Sequence, residues 1–130
     1  MNRRVLLLAC ALCSPLTAQN AAMDQGVELI REGHFDQALP RLEEAHRLSP
    51  RNPTIENLLG IAETKLGHID AADNHYRAAI ALDPSQAAPH RNLGFNLLTA
   101  KKFDAAAPEL RAASRLDPKD PFCWGIRGAP

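Results

Sequence analysis

Small and apolar residues recur along the chain with one long period. Gly26, Gly60 and Gly94 lie 34 residues apart, as do Ala38, Ala72 and Ala106, and again Ala45, Ala79 and Ala113. Leu48, Leu82 and Leu116 form a further column. Phe35, Ile69 and Phe103 form another, each followed directly by an aspartate: Asp36, Asp70 or Asp104. Pro50, Pro84 and Pro118 close the units at the same spacing. A fixed period of this size marks a stacked repeat array. Each unit reads as two helices, the first over about 20–32, 54–66 and 88–100, the second over about 36–48, 70–82 and 104–116.

Local signals punctuate this pattern. Asp36, Asp70 and Asp104 fit N-caps, because a carboxylate accepts from the free amides of a first turn. Gly33 and Gly67 fit the turn between paired helices, where a positive φ ends the first helix; the third unit has Lys101 there, which predicts strain. Asn52–Pro53 and Asp120–Pro121 read as a cap followed by proline at the first helical position. Pro40 and Pro108 are expected so early in their helices that little hydrogen bonding is lost. The glycine and alanine columns let helix axes approach, with Leu42, Leu59, Tyr76, Leu93 and Leu110 filling the remaining space. No unit buries its apolar face alone, so stability comes from stacking.

The first residues follow a different rule. Arg3 and Arg4 precede an apolar run from Val5 to Cys13, then Pro15 and small residues. This is the form of a secretory signal peptide over 1–18, with cleavage expected after Ala18. Cys10 as a lipidation site and an uncleaved anchor are the membrane-bound alternatives. Removing 1–18 leaves 13 basic against 15 acidic residues, which gives no electrostatic reason to expect nucleic acid as partner. Cys123 is then the single thiol, so no disulfide forms within one mature chain.

The repeat unit resembles the tetratricopeptide repeat (TPR). Leu59–Gly60 and Leu93–Gly94 match that family's first-helix pair, and the second-helix alanines flank its aromatic place. Leu82-Asp83-Pro84 and Leu116-Asp117-Pro118 match its closing triplet, with Leu48-Ser49-Pro50 in the first unit. The family's tryptophan place holds Ala22, Glu56 and His90 here, and Trp124 falls on it in the start of a fourth unit. The resemblance implies an all-α fold, a helix-turn-helix array forming a right-handed α-solenoid. It divides the chain into repeats 19–52, 53–86 and 87–120, with 121–130 an aborted fourth repeat or tail.

The resemblance also implies a binding scaffold for a peptide or protein and not an enzyme, with first helices lining a concave groove. The implied groove columns are Met23, Asn57 and Arg91; Val27, Ile61 and Phe95; and Ile30, Thr64 and Leu98, with Arg31 and Lys65 at a basic margin. Relatives that clamp acidic chaperone C-termini carry Lys and Asn where this chain has Met23, Val27, Leu58, Ala88 and Asn92, so that activity is not expected. The alternative is a self-associating module, or a fragment of a longer array in the cell envelope.

Catalytic and metal chemistry find no motif. No histidine pair has the i, i+4 spacing of a helical metal site. Nucleophile elbows and phosphate loops are absent, so no cofactor, metal or catalytic residue is expected. A bacterial periplasm or envelope suits a disulfide-free exported helical chain, with secretion the other destination. Beyond Pro118 the fourth unit opens in phase but is cut by Gly125 and Gly128. The end face near Leu110 is therefore expected to be covered by Phe122 and Trp124 folding back, or by a second copy with Cys123 at the contact.

Overall fold

The computed structural model describes residues 15–122, and among them six α-helices and no strand. They are α1 (Pro15–Glu32), α2 (Phe35–Leu48), α3 (Pro53–Lys65), α4 (Ile69–Leu82), α5 (Ala87–Thr99) and α6 (Phe103–Leu116). Helices pair as α1 with α2, α3 with α4 and α5 with α6; α2 then packs on α3 and α4 on α5. The result is an all-α solenoid of three helical hairpins.

The turn within each hairpin has one construction. Gly33 N–H donates to Ile30 C=O at 3.0 Å and His34 N–H to Leu29 C=O at 2.8 Å, around a glycine at φ +84°. Gly67 and His68 repeat this with Thr64 and Glu63. Both glycines occupy the left-handed region that a Schellman turn requires. Lys101 takes the same role at φ 60°, donating to Leu98, so the strain expected of a side chain at this place is present.

Two local expectations need correction. The turn delivers the chain so that α2, α4 and α6 begin at Phe35, Ile69 and Phe103, one residue before each aspartate. The cap residues are His34, His68 and Lys102, none with a side-chain capping bond. Asp36, Asp70 and Asp104 sit in the first turn and act through the helix dipole instead. Pro40 and Pro108 consequently lie inside α2 and α6, two residues beyond the first amide that bonds back to the cap carbonyl. Each forfeits a bond to the first-turn aspartate carbonyl; both prolines are exposed, on a face where water reaches that carbonyl.

At the unit junctions, Asn52 Oδ1 accepts from Thr54 N–H at 3.0 Å and Asp120 Oδ1 from Phe122 N–H at 3.0 Å, as a cap followed by proline requires. Gln86 makes no such bond. The closing triplets have a mechanism too. Asp83 Oδ1 accepts from Ser85 N–H at 3.1 Å and Ser85 Oγ at 2.6 Å, which holds its carboxyl below the ordinary carboxylate value. Helix α1 begins at Pro15, before the expected start near residue 20. The last residues of the expected signal segment are therefore helical, and the rest of it lies outside the described residues.

The core is built between units. One buried cluster joins Ala22, Ala38, Leu42 and Ala45 to Ile55, Leu59 and Ala62 of the next hairpin. A second joins Ala72 and Tyr76 of α4 to Leu93, Leu97, Ala106 and Leu110. Each first-helix glycine faces the filler of its partner helix: Gly26 meets Leu42, Gly60 meets Tyr76, and Gly94 meets Leu110. Leu110 is thus buried within its own unit and forms no open end face. The large apolar groups left open at that end, among the described residues, are Phe103, 62% exposed, Phe122, 67% exposed, and Leu116, 42% exposed.

Candidate functional site

Stacking brings the first helices into a common wall, with α1 touching α3 and α3 touching α5. Side-chain bonds fix this register. Asn92 Nδ2 donates to Asn57 Oδ1 at 3.1 Å. Asn96 Nδ2 donates to Thr64 Oγ1 at 3.1 Å and to Asp73 Oδ1 at 2.9 Å. Thr64 Oγ1 also lies 3.1 Å from the Tyr76 hydroxyl. One polar chain therefore runs from α4 through α3 to α5. Burial pushes the Tyr76 phenol up to about 12; the Thr64 hydrogen bond opposes this and the Asp73 charge adds to it.

A hollow of about 160 Å³ opens beside this chain, lined by Ile61, Thr64, Lys65, Tyr76, Asn92, Phe95 and Asn96. It brings together four of the groove residues expected from sequence: Ile61, Thr64, Lys65 and Phe95. Ile61 and Phe95 supply apolar walls one unit apart. Lys65 is exposed and makes no ion pair. Two larger hollows are present, and one of about 490 Å³ shares Thr64 and Asn96 with this site and adds Ile69, Asp70, Thr99 and Ala100. The other, of about 680 Å³, lies between α1 and α2 at Gln25, Glu28, Leu29, Gln37, Pro40 and Arg41. It shares no residue with the groove columns.

The remaining predicted positions separate into two groups. Met23 and Ile30 pack on the first core cluster and Leu98 on the second, so each is half-buried support. Val27 is half-buried on α1 and lies outside the hollow. Arg31 pairs with Glu28 at 2.9 Å, leaving Lys65 as the unpaired cation of the basic margin. Asn57 is engaged by Asn92. Arg91 donates to Asp120, whose carboxyl it holds below the ordinary value, and the Phe95 and Phe122 rings meet edge to face. Asn96, Asp73 and Tyr76 are additions that sequence reasoning did not place in the site, and Asn92 entered it only at a place compared with chaperone-binding relatives. Asn96 carried a signal: it stands where the preceding unit has the buried Ala62.

The histidines pair with carboxylates. Glu56, 5% exposed, lies between His75 Nδ1 at 2.8 Å and His46 Nδ1 at 3.1 Å. Only the His75 contact has hydrogen-bond geometry. His90 bonds Glu109 at 2.7 Å and the Pro84 carbonyl at 3.1 Å. His68 lies 2.6 Å from Glu63. Among the described residues no three His, Cys, Asp or Glu side chains converge as a metal site. No described helix is long and apolar enough to cross a membrane.

Comparison with known proteins places this architecture. Two family models match: one described as TPR repeat over residues 60–99, one as tetratricopeptide repeat over residues 29–76. No curated protein sequence gives a significant match. Among solved structures, the Arabidopsis OM64 TPR domain superposes with a TM-score of 0.84 at 18% identity, covering 88% of this chain and 94% of that one. The second TPR domain of human RPAP3, solved with the HSP70 peptide SGPTIEEVD, gives 0.79 at 18% identity over 87% and 94%. Pseudomonas aeruginosa pilF gives 0.77 at 24% identity, over 86% of this chain and 51% of that one. With three hairpins in one register, glycine facing filler in each, and both models matching across their junctions, the chain belongs to the tetratricopeptide-repeat family.

Proposed function

We propose that this chain is an exported, non-catalytic protein-interaction scaffold that holds an extended partner segment along the concave face of α1, α3 and α5. The observation that carries the reading is the hollow at Ile61, Thr64, Lys65 and Phe95, with the Asn92 and Asn96 amides on its wall. Apolar walls beside fixed amides suit a backbone segment with an apolar anchor. Most polar groups of this face are already bonded to one another, which leaves the apolar strip and Lys65 for the partner. The RPAP3 domain of the same fold holds a short peptide, which supports the class of use.

A peptide-display screen on the full chain tests this. Phe95→Ala and Ile61→Ser should each weaken selected peptides at least tenfold. Phe95 is half-buried, so Phe95→Ala should destabilise by well under the roughly 3–5 kcal/mol of a core Phe truncation. Binders indifferent to both changes would sink the assignment. For export, N-terminal sequencing of envelope material should begin near Gln19; intact Met1 in the cytosol would refute it. A second reading, stacking of another copy on the last hairpin, rests on Phe103. It is 62% exposed where Phe35 and Ile69 of the earlier units are half-buried. Sedimentation that is independent of concentration would eliminate it.

A further inference from the structure

The chain already carries a segment against Arg91 and Phe95 of α5. Beyond α6, Asp120 is buried and accepts from the Arg91 guanidinium, and its Oδ1 accepts from Phe122 N–H at 3.0 Å. Phe122 then meets Phe95 edge to face, with ring centroids 6.1 Å apart and an interplanar angle of 89°. Arg91 and Phe95 are four residues apart on α5, so they stand one turn apart on one face. An acidic residue two places before an aromatic thus matches a guanidinium and a ring at helical spacing. Phe95 also walls the hollow of Ile61 and Lys65, so the hollow and the tail share this ring.

We infer that the Asp120–Phe122 segment is a built-in occupant of the groove, and that the face selects partner segments bearing a carboxylate two residues before an aromatic ring. The inference rests on the scaffold reading above and narrows its partner class. The two halves of the contact differ in strength. The carboxylate is enclosed and held by a charge-assisted bond. The ring makes one edge contact and stays 67% exposed, so it yields readily to a partner ring that also fills the hollow. Both effects place the tail in competition with an outside segment, and occupancy by the tail lowers the apparent affinity for it.

The probe is a fluorescent hexapeptide, DPKDPF, which copies residues 117–122; the control is DPKNPA. Anisotropy is read on the unmodified full chain, on full-length Phe122→Ala, and on full-length Asp120→Asn/Phe122→Ala, with thermal melting of each. The double variant should bind DPKDPF at least tenfold tighter than the unmodified chain, and Phe122→Ala should fall between them. The control should not bind. Adding Arg91→Gln to the double variant should abolish binding. Equal binding by all chains, absence of binding to either variant, or indifference to Arg91→Gln would overturn the inference. If the double variant melts out, the folded Phe122→Ala chain decides alone: no gain over the unmodified chain makes the segment a structural cap only. Display-selected peptides that depend on Ile61 while DPKDPF fails would leave the scaffold reading standing and remove this one.

Discussion

Replacing Gly60 by alanine tests the close approach on which each hairpin depends. Gly60 is inside α3, where the exchange by itself favours the helix by about 1 kcal/mol. Here the new methyl would enter a ring. Built on the backbone, its carbon lies 2.6 Å from Tyr76 Cδ1 and 2.8 Å from Cζ, and nearer still to Cε1. Carbon pairs attract best at about 3.5–4.0 Å, so the overlap approaches roughly 1 Å over three ring atoms. The ring cannot swing clear, because Tyr76 is buried and its hydroxyl is held at 3.1 Å from Thr64 Oγ1. Relief requires α3 and α4 to part. Overpacking of this kind sits at the upper end of the usual range, about 3 kcal/mol; after the propensity gain, about 2 kcal/mol of destabilisation is left. Urea unfolding followed by far-ultraviolet circular dichroism measures it. Gly26→Ala and Gly94→Ala are internal references, since they meet Leu42 and Leu110, whose branches change rotamer more readily than a ring turns. A smaller loss is expected there. A Gly60→Ala chain more stable than the parent would refute the packing rule.

The protein's single tyrosine gives an alkaline test. Its phenol is raised from 10.0 to about 12 by burial, so the folded state favours the neutral form. That stabilisation is complete below the ordinary phenol value and disappears as pH rises through the folded one. The tyrosinate absorption band should emerge near pH 12 or together with unfolding; emergence at the ordinary value in a folded chain would contradict the buried placement. Lys101→Gly relieves a left-handed lysine and should raise the urea-derived stability by about 0.5–1 kcal/mol, allowing for glycine's entropy; a loss would mean that the Lys101 side chain is stabilising the turn. Glu56→Ala leaves the His75 and His46 nitrogens without their carboxylate and should destabilise by about 1–3 kcal/mol. A change within about 0.5 kcal/mol would make the cluster incidental.

The parts legible in the sequence are those that packing forces to repeat. A helix crossing at close range needs a small residue at the same place in every unit, so Gly26, Gly60 and Gly94 and the alanine columns announced the hairpins. Period fixes spacing but not the phase of a helix start. That phase follows from the hydrogen bonds of the Schellman turn, which is why the aspartates read as caps and are first-turn residues. Of the eleven groove residues that the resemblance implied, four, Ile61, Thr64, Lys65 and Phe95, line one hollow. The polar chain was not legible. Thr64, Asn96 and Asp73 each occur once at their places, and their bonds span different units, so no column displays them. Phe122, together with Trp124, was expected to cover an end face at Leu110. It lies on α5 instead, because Leu110 is already buried against Gly94 and Arg91 offers a charge. Trp124 and Cys123, the other parts of that expectation, lie outside the described residues.

The tryptophan place shows how the array holds its register without the indole. In the second hairpin Glu56 stands there and bonds His75 on the partner helix; in the third, His90 stands there and bonds Glu109. Both pairs span 19 residues, so the same two places carry the same chemistry with the partners exchanged. That exchange was readable in the sequence once units were compared place by place, and it is a better signal than any single histidine. A buried pair of this type adds little net stability, because desolvation offsets much of the attraction. It does add discrimination. Glu56 also faces His46 of the preceding hairpin at 3.1 Å, while His90 spends its second nitrogen on the Pro84 carbonyl between hairpins. Interchanging the second and third hairpins would put His90 against His46 and leave Glu56 facing a carbonyl. Like-charged or acceptor–acceptor contacts at buried places are costly, so the polar pairs assign each hairpin its position in the stack. The order of the hairpins in turn fixes which first helix carries Lys65 and which carries Arg91 and Phe95.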